Sequence, residues 1–249
     1  MKRKYFNIVA LNDWHVGFSA DKKKLYHDEK AIRSAFDFCR QIQPDIIIIS
    51  EAHDFYAVSK FDKDPSRLNT LQDEINQVTF YFHLLRDLCP KSRIILINSN
   101  HLDRLRKYLW RQAPALASLN ALRIEELLEL KEHNIEFMDT FKFNGVLFKH
   151  GSLVRKDSGM TARAEFQKEG MSGVSGHTHR LGQFFKTLNG GKYMWIESGC
   201  LCNLDPEYAD GTMDWQQGIA LIQFKRADSD HYYPFLFPMI GHELKWWLK

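Results

Sequence analysis

Four consecutive isoleucines, Ile46 to Ile49, run directly into Ser50 and Glu51, and they restrict the chain more than any other feature. A β-branched run without polar alternation suits a strand covered on both faces and is too short for a buried helix. Neighbouring segments supply companions. Tyr5 to Leu11 is a second short apolar run, closed by Asn12 and Asp13, and Ile94 to Ile97 is a third. Between them, Ala31, Ala35, Phe38, Cys39 and Ile42 recur at helical spacing before Pro44. Leu68, Leu71, Ile75, Val78, Phe82 and Leu85 do the same before Pro90. Proline closes each helix because it restricts the residue before it. The alternation strand, helix, strand, helix, strand predicts a partly parallel sheet with helices packed on it.

The second half reads differently. Helical patterns run from Asp103 to about Lys131 with a break near Pro114, and then strands take over. Asn144-Gly145 marks a hairpin within Phe141 to Phe148, and Asn189-Gly190-Gly191 marks another between Phe184 and Ile196. An Asn-Gly pair is the strongest short turn signal because both residues tolerate positive φ. Ile219 to Phe224 and Tyr232 to Phe237 read as late strands. The expected fold class is α/β, two mixed sheets face to face with helices outside. With 249 residues and 44% hydrophobic content, and no linker or internal repeat, residues 1–249 are expected to form one domain.

Polar residues of metal-ligand type stand where the apolar runs stop. They are Asp13-Trp14-His15 after the first, Glu51 with Asp54 after the second, and Asn100-His101 after the third. Val146 to Lys149 ends in His150-Gly151, and Gly173 to Ser175 leads into Gly176-His177-Thr178-His179. Ligands gather outside the carboxyl ends of strands in open α/β sheets. Any one of these motifs arises by chance, and a single buried histidine is more often a satisfied core residue. Their ordered recurrence at five strand ends points to a metal site.

This ordered series resembles that of the calcineurin-like metallophosphoesterases, in particular the small bacteriophage-type members. Asp54-Phe55-Tyr56 and Gly199-Cys200-Leu201-Cys202 strengthen the likeness to the phage type. The resemblance implies a four-layer α/β/β/α sandwich, the metallo-dependent phosphatase fold. It implies one cation held by Asp13, His15 and His179, a second by Asn100, His150 and His177, and Glu51 bridging them. His101 becomes the proton donor to the leaving oxygen, oriented by Asp54. The family usually has Gly-Asp where this chain has Ser50-Glu51, and Gly where it has Ser99. An acidic residue usually follows the histidine, whereas Leu102 and then Asp103 do so here.

Elementary chemistry agrees with those roles. Two cations roughly 3.5–4 Å apart clamp a phosphate and lower the pKa of a water between them. Mixed nitrogen and oxygen ligands suit Mn²⁺ first, with Fe and Zn²⁺ as alternatives, over Ca²⁺. A departing alkoxide needs a proton, and histidine titrates nearest neutrality. This chemistry gives a metal-dependent phosphoester hydrolase, and the phage-type resemblance implies nucleotide substrates, a deoxynucleoside 5′-monophosphatase first. A nuclease or cyclic-nucleotide phosphodiesterase is the alternative, and a catalytically impaired binding protein on the same fold is another.

Composition narrows the partners. A net charge of +3 is small for a dedicated duplex binder, so a small phosphoester or nucleotide is expected, with nucleic acid also open. Arg104, Arg155 and Lys156 stand beside the motifs as cations that grip a phosphate or are plainly exposed. Lys22 to Lys24 read as a solvated face, and Leu244 to Lys249 as packing against the body. Trp14 is expected to wedge under the site and His53 to lie on a surface loop. Cys39, Cys89, Cys200 and Cys202 lack zinc-ribbon spacing and are expected reduced. The start of the chain lacks a signal-peptide pattern and no run reaches membrane length, so a cytoplasmic protein is expected, in the host cell if phage-encoded. Oligomeric state leaves no trace in the sequence.

Overall fold

The computed structural model describes residues 5–19, 25–63, 65, 70–205 and 213–244. Leu68, Lys22 to Lys24 and Lys245 to Lys249 lie outside the described residues, so the expectations placed on them have no structural counterpart here.

The three apolar runs are parallel neighbours. β1 (Phe6–Asn12), β2 (Ile46–Ser50) and β3 (Arg93–Ile97) pair in register, with Val9 opposite Ile47 and Ile47 opposite Ile94. β4 (Ile135–Met138) extends this parallel set. On the other side, β10 (Gly218–Phe224) pairs antiparallel with β1, and β11 (Tyr232–Pro238) pairs antiparallel with β10. The first sheet therefore has the order β11-β10-β1-β2-β3-β4. The second has the order β5-β6-β7-β9-β8, formed by β5 (Phe141–Phe143), β6 (Val146–Lys149), β7 (Ser172–Ser175), β8 (Leu181–Leu188) and β9 (Gly191–Ser198). Both sheets are mixed, and both hairpins turn where the glycines predicted.

Three apolar clusters define the layers. Alternate residues of the isoleucine strand point to opposite sides. Ile47 and Ile49 join Ile32, Phe36, Val78 and Phe82 in the cluster under α1 (Glu29–Ile42) and α2 (Leu71–Leu88). Ile46 and Ile48 join Ile8, Ile95, Phe148, Val174 and Ile196 between the two sheets. Leu147, Phe166 and Trp195 form the third cluster, beneath α5 (Met160–Glu169). The result is an α/β sandwich with helices outside and sheet facing sheet inside. Truncating Ile48 to alanine would open a void between the sheets and cost about 2–5 kcal/mol.

The helix ends follow local chemistry. Asp28 caps α1 by accepting the Ala31 N–H at 3.0 Å. Gln43 ends it in the left-handed region at φ 47°, donating its N–H to the Cys39 carbonyl. The stretch after β3 holds α3 (Leu102–Gln112), short 3₁₀ turns from Pro114, and a single helical turn, α4 (Ile124–Leu127). The break falls at Pro114 as expected, whereas β4 and α5 carry too little periodicity to be read from the sequence. No helix of the described residues is long and apolar enough to cross a membrane.

Candidate metal centre

The loops after β1 and β2 stay zipped together beyond the strands. Asp13 and Trp14 donate their N–H groups to the carbonyls of Ser50 and Glu51, each at 2.9 Å, and Val16 donates to Ala52 at 3.0 Å. This holds the Asp13 and Glu51 segments side by side. Trp14 sends its ring backwards into the core, edge-on to Phe36, Tyr81 and Phe82, and its Nε1 donates to the Leu11 carbonyl at 3.2 Å. It is the wedge that its position implied, and it anchors the turn between two would-be ligands.

Five of the seven expected ligands adopt left-handed backbone: Asp13 (φ 54°), His15 (49°), Glu51 (57°), His177 (72°) and His179 (57°). Residues with a Cβ hold such geometry at a cost of order 1–3 kcal/mol each, and clusters of them mark functional sites. Ser99 is not among the positive-φ residues. The turn there has no need of glycine. Its hydroxyl accepts the Leu102 N–H at 3.2 Å, satisfying an amide at the start of α3.

The side chains converge on Glu51. One carboxylate oxygen, Oε1, lies 2.8 Å from His15 Nε2, and the other, Oε2, lies 3.0 Å from His150 Nε2. His150 Nε2 is also 2.7 Å from Asn100 Oδ1 and 3.1 Å from His177 Nδ1. On the first side, Asp13, His15, Glu51 and His179 each present an atom within 4.8 Å of the others. Asp13 Oδ1 is 3.7 Å from His179 Nε2 and 3.8 Å from His150 Nδ1. Asp13 Oδ1, His15 Nε2 and Glu51 Oε2 are buried and have no hydrogen-bond partner. Buried polar atoms are normally satisfied, so donors facing one another without hydrogen bonds fit a cation between them. The donor set could hold divalent metal ions on both sides of Glu51.

Electrostatics within the cluster point the same way. Burial, helped by the charge of Glu51, pushes the Asp13 carboxyl well above the usual carboxylate range. Burial acts upward on Glu51 too, but the imidazoles of His101, His150 and His15 outweigh it and hold this carboxyl well below its ordinary value. Burial is also the main cause lowering His101, His177 and His179. Neutral imidazole is the form that ligates metal.

A supporting layer holds these ligands in place. Ser50 Oγ donates to Asn12 Oδ1 at 2.9 Å and stands 3.3 Å from His150 Nδ1, the ring nitrogen that does not face Glu51. The extra hydroxyl of Ser50 therefore orients a ligand. The His177 N–H donates to Asp13 Oδ2 at 2.9 Å. A Cβ at Gly176 would overlap that same oxygen, so only glycine lets the two loops touch. Thr178, between His177 and His179, donates to buried Glu197 at 2.8 Å. Glu74 of α2 accepts the Phe55 N–H at 2.6 Å and fixes the segment carrying Asp54.

The His101 side departs from expectation in three respects. Asp54 Oδ1 lies 3.4 Å from His101 Nδ1, yet that nitrogen makes no hydrogen bond. Asp54 is instead gripped by Arg104, whose Nη1 donates to Oδ1 and to the backbone carbonyl, each at 2.6 Å. Arg104 Nη2 stands 2.5 Å from His101 Nε2. Arg104, expected as a phosphate-binding or exposed cation, is therefore internally paired, while Arg155 is exposed and bonds to the Val154 carbonyl at 3.0 Å. His53, expected on a surface loop, is fully buried against Phe55, and its pKa is lowered to about 3 by burial. Trp215, which no sequence signal singled out, packs edge-on to His179 with ring centroids 4.2 Å apart.

No family model matches the chain. It is 27% identical over 250 residues to the Gene 54 protein of Mycobacterium phage D29, with 94% of each chain covered. It is likewise 27% identical over 251 residues to the Gene 54 protein of Mycobacterium phage L5, again with 94% of each covered. Both relatives are phage proteins. Among solved structures, a Thermotoga maritima protein, TM1076, matches with a TM-score of 0.40 and 13% identity over 94% of this chain and 99% of its own. That degree of likeness carries no argument.

Proposed function

We propose that this chain is a divalent-metal-dependent phosphoester hydrolase of the calcineurin-like kind, acting on nucleotides and first of all on deoxynucleoside 5′-monophosphates. The observation that carries the reading is Glu51, whose two oxygens face two different donor sets, His15 on one side and His150 on the other. A carboxylate so placed is suited to bridge two cations. The pair of sheets flanked by helices also fits the metallo-dependent phosphatase fold.

The residues divide the work. Asp13, His15 and His179 would hold one cation and Asn100, His150 and His177 the other, with Glu51 common to both. Mn²⁺ suits this mixed set best, with Fe or Zn²⁺ as substitutes. Once bound, such a pair neutralises phosphate charge and makes a water nucleophilic near neutral pH. His101 stands beside Glu51, with its Nδ1 edge toward Glu51 and Asp54 and its Nε2 edge toward Arg104. Arg104 reaches this edge and is placed to follow an incoming phosphate. Its withdrawal from Nε2 would free His101 to carry a proton to the leaving oxygen.

Phe61 supports a nucleotide. It is exposed and lies 5.8 Å from the Arg104 guanidinium, a rim position where a base can stack. The deciding test is hydrolysis by metal-stripped protein supplied with Mn²⁺. Release of inorganic phosphate from nucleoside 5′-monophosphates is the expected result. Cleavage of bis-p-nitrophenyl phosphate alone would move the substrate to diesters, DNA or cyclic nucleotides. Two bound Mn²⁺ with no turnover of either would leave a binding protein and overturn the hydrolase.

A further inference from the structure

His179 has a second face. Its Nε2 looks toward Asp13, while Nδ1 lies 3.8 Å from Cys202 Sγ. Cys200 joins them, so that one nitrogen and two sulfurs lie within 4.8 Å of one another. All three residues are buried, the cysteines at 0% and 2% exposure.

The segment carrying the thiols is pinned by its backbone. Cys200 N–H donates to the Gln216 carbonyl at 3.1 Å, Leu201 N–H to the Asp13 carbonyl at 3.0 Å, and Gly218 N–H to the Cys200 carbonyl at 3.1 Å. Gln217 Nε2 donates to the Cys202 carbonyl at 2.8 Å. Gly199, at φ 75°, allows the close approach, because a Cβ there would come within 2.8 Å of the Gln216 carbonyl. The two sulfurs and the imidazole are thus preorganised, which is what a metal site requires beyond having the right atoms.

We propose that Cys200, Cys202 and the Nδ1 edge of His179 form a distinct site for one thiophilic divalent cation of the zinc or cadmium class. The donor chemistry separates it from the neighbouring centre. Carboxylate, amide and imidazole suit manganese, whereas paired thiolates with imidazole select zinc. Sulfur and nitrogen 3.8 Å apart also fit a shared zinc, given bonds of about 2.3 Å to sulfur and about 2.0–2.1 Å to nitrogen. Loading sends the two thiol protons to solvent, and a third from the His179 ring when Nε2 also holds the neighbouring cation, so that the imidazolate is shared. The backbone carbonyl of Asp13 holds the segment between the cysteines and ties this site to the neighbouring donor cluster. The site is independent of the hydrolase reading, since it needs no turnover.

The test is X-ray absorption at the zinc edge on the full-length wild-type protein, first stripped of metal, then given Mn²⁺ and one equivalent of Zn²⁺. A sulfur shell at about 2.3 Å, containing two sulfurs, is the expected result. A shell of nitrogen and oxygen alone would overturn the proposal, whether or not the protein hydrolyses anything. The double variant C200S/C202S should lose the sulfur shell while retaining Mn²⁺. Persistence of sulfur in that variant would assign the zinc to Cys39 and Cys89 and equally overturn it. The wild-type spectrum stands alone should the variant fail to fold.

Discussion

On the two sides of Glu51, the donors differ in spacing and in what stands behind them. Around His150 Nε2 the distances to Asn100, Glu51 and His177 are 2.7, 3.0 and 3.1 Å. Adjacent ligands of an octahedral cation with bonds of about 2.1 Å lie about 3 Å apart, so this side is already drawn to size. On the other side His15 is close to Glu51, but Asp13 and His179 are 3.7 Å apart. The supports differ as well. His150 is backed by the Ser50 hydroxyl and His179 by the Cys202 sulfur. A preformed donor set binds without reorganisation, so the His150 side should fill first and hold its cation more tightly.

Losing the shared carboxylate should erase the difference. Glu51→Ala is expected to remove both cations and lower kcat/KM by about 10³-fold or more, roughly 4 kcal/mol of barrier. Elemental analysis with a rate measurement checks it, and retention of one full equivalent would show that Glu51 does not bridge. His150→Ala should abolish the tighter of two Mn²⁺ binding events in calorimetry, whereas His15→Ala should abolish the weaker one. The reverse pattern would invert the ranking of the two sides.

His101→Ala should leave metal content intact and slow turnover by about 10²-fold, most for substrates with poor leaving groups. Equal slowing across leaving groups would remove His101 from proton delivery. Ser50→Ala should weaken the tighter cation by about 10-fold, since partners behind a ligating histidine act on this scale. An unchanged affinity would make the Ser50 contact incidental.

Acid should act on the metal-free protein through its buried histidines. His27, His53, His101, His177 and His179 all have pKa values lowered by burial, that of His53 to about 3. Below the unfolded value of about 6.5 the unfolded chain binds more protons, so stability falls as pH falls, by about 1.4 kcal/mol per unit per group. Asp13, shifted upward, opposes this with one group of its own. The melting temperature of metal-free protein should therefore drop by several degrees between about pH 7 and about pH 5.5. A flat profile would mean these rings take up protons without loss of folded stability.

Much of this was visible in the chain itself, for a physical reason. Ile46 to Ile49 has no polar face, so the parallel centre follows from periodicity alone, and Asn144-Gly145 announces its turn by backbone preference. The candidate donors could be picked out because each follows a strand that the sequence shows. Ser50, Arg104, Cys202 and Trp215 could not, since their contacts with His150, Asp54 and His179 join residues 23 to 100 positions apart that only folding brings together. His53 misled because a polar residue in a loop looks exposed, whereas the strand-like bridge to Val16 carries it inward. β4 and α5 are short and irregular in pattern, and tertiary packing decides them.

The bond from His177 N–H to Asp13 Oδ2 spans 164 residues, and Leu201 reaches back to Asp13 from farther still. Contacts with such long sequence separation carry a loop-closure cost that must be met before they form. β1, which delivers Asp13 and His15, also needs β10 as its antiparallel neighbour. The donor cluster is therefore complete only once β10 has paired with β1 and the loops carrying His177 and Leu201 have reached Asp13. Tight uptake of the proposed cations would then report that these long-range contacts are in place.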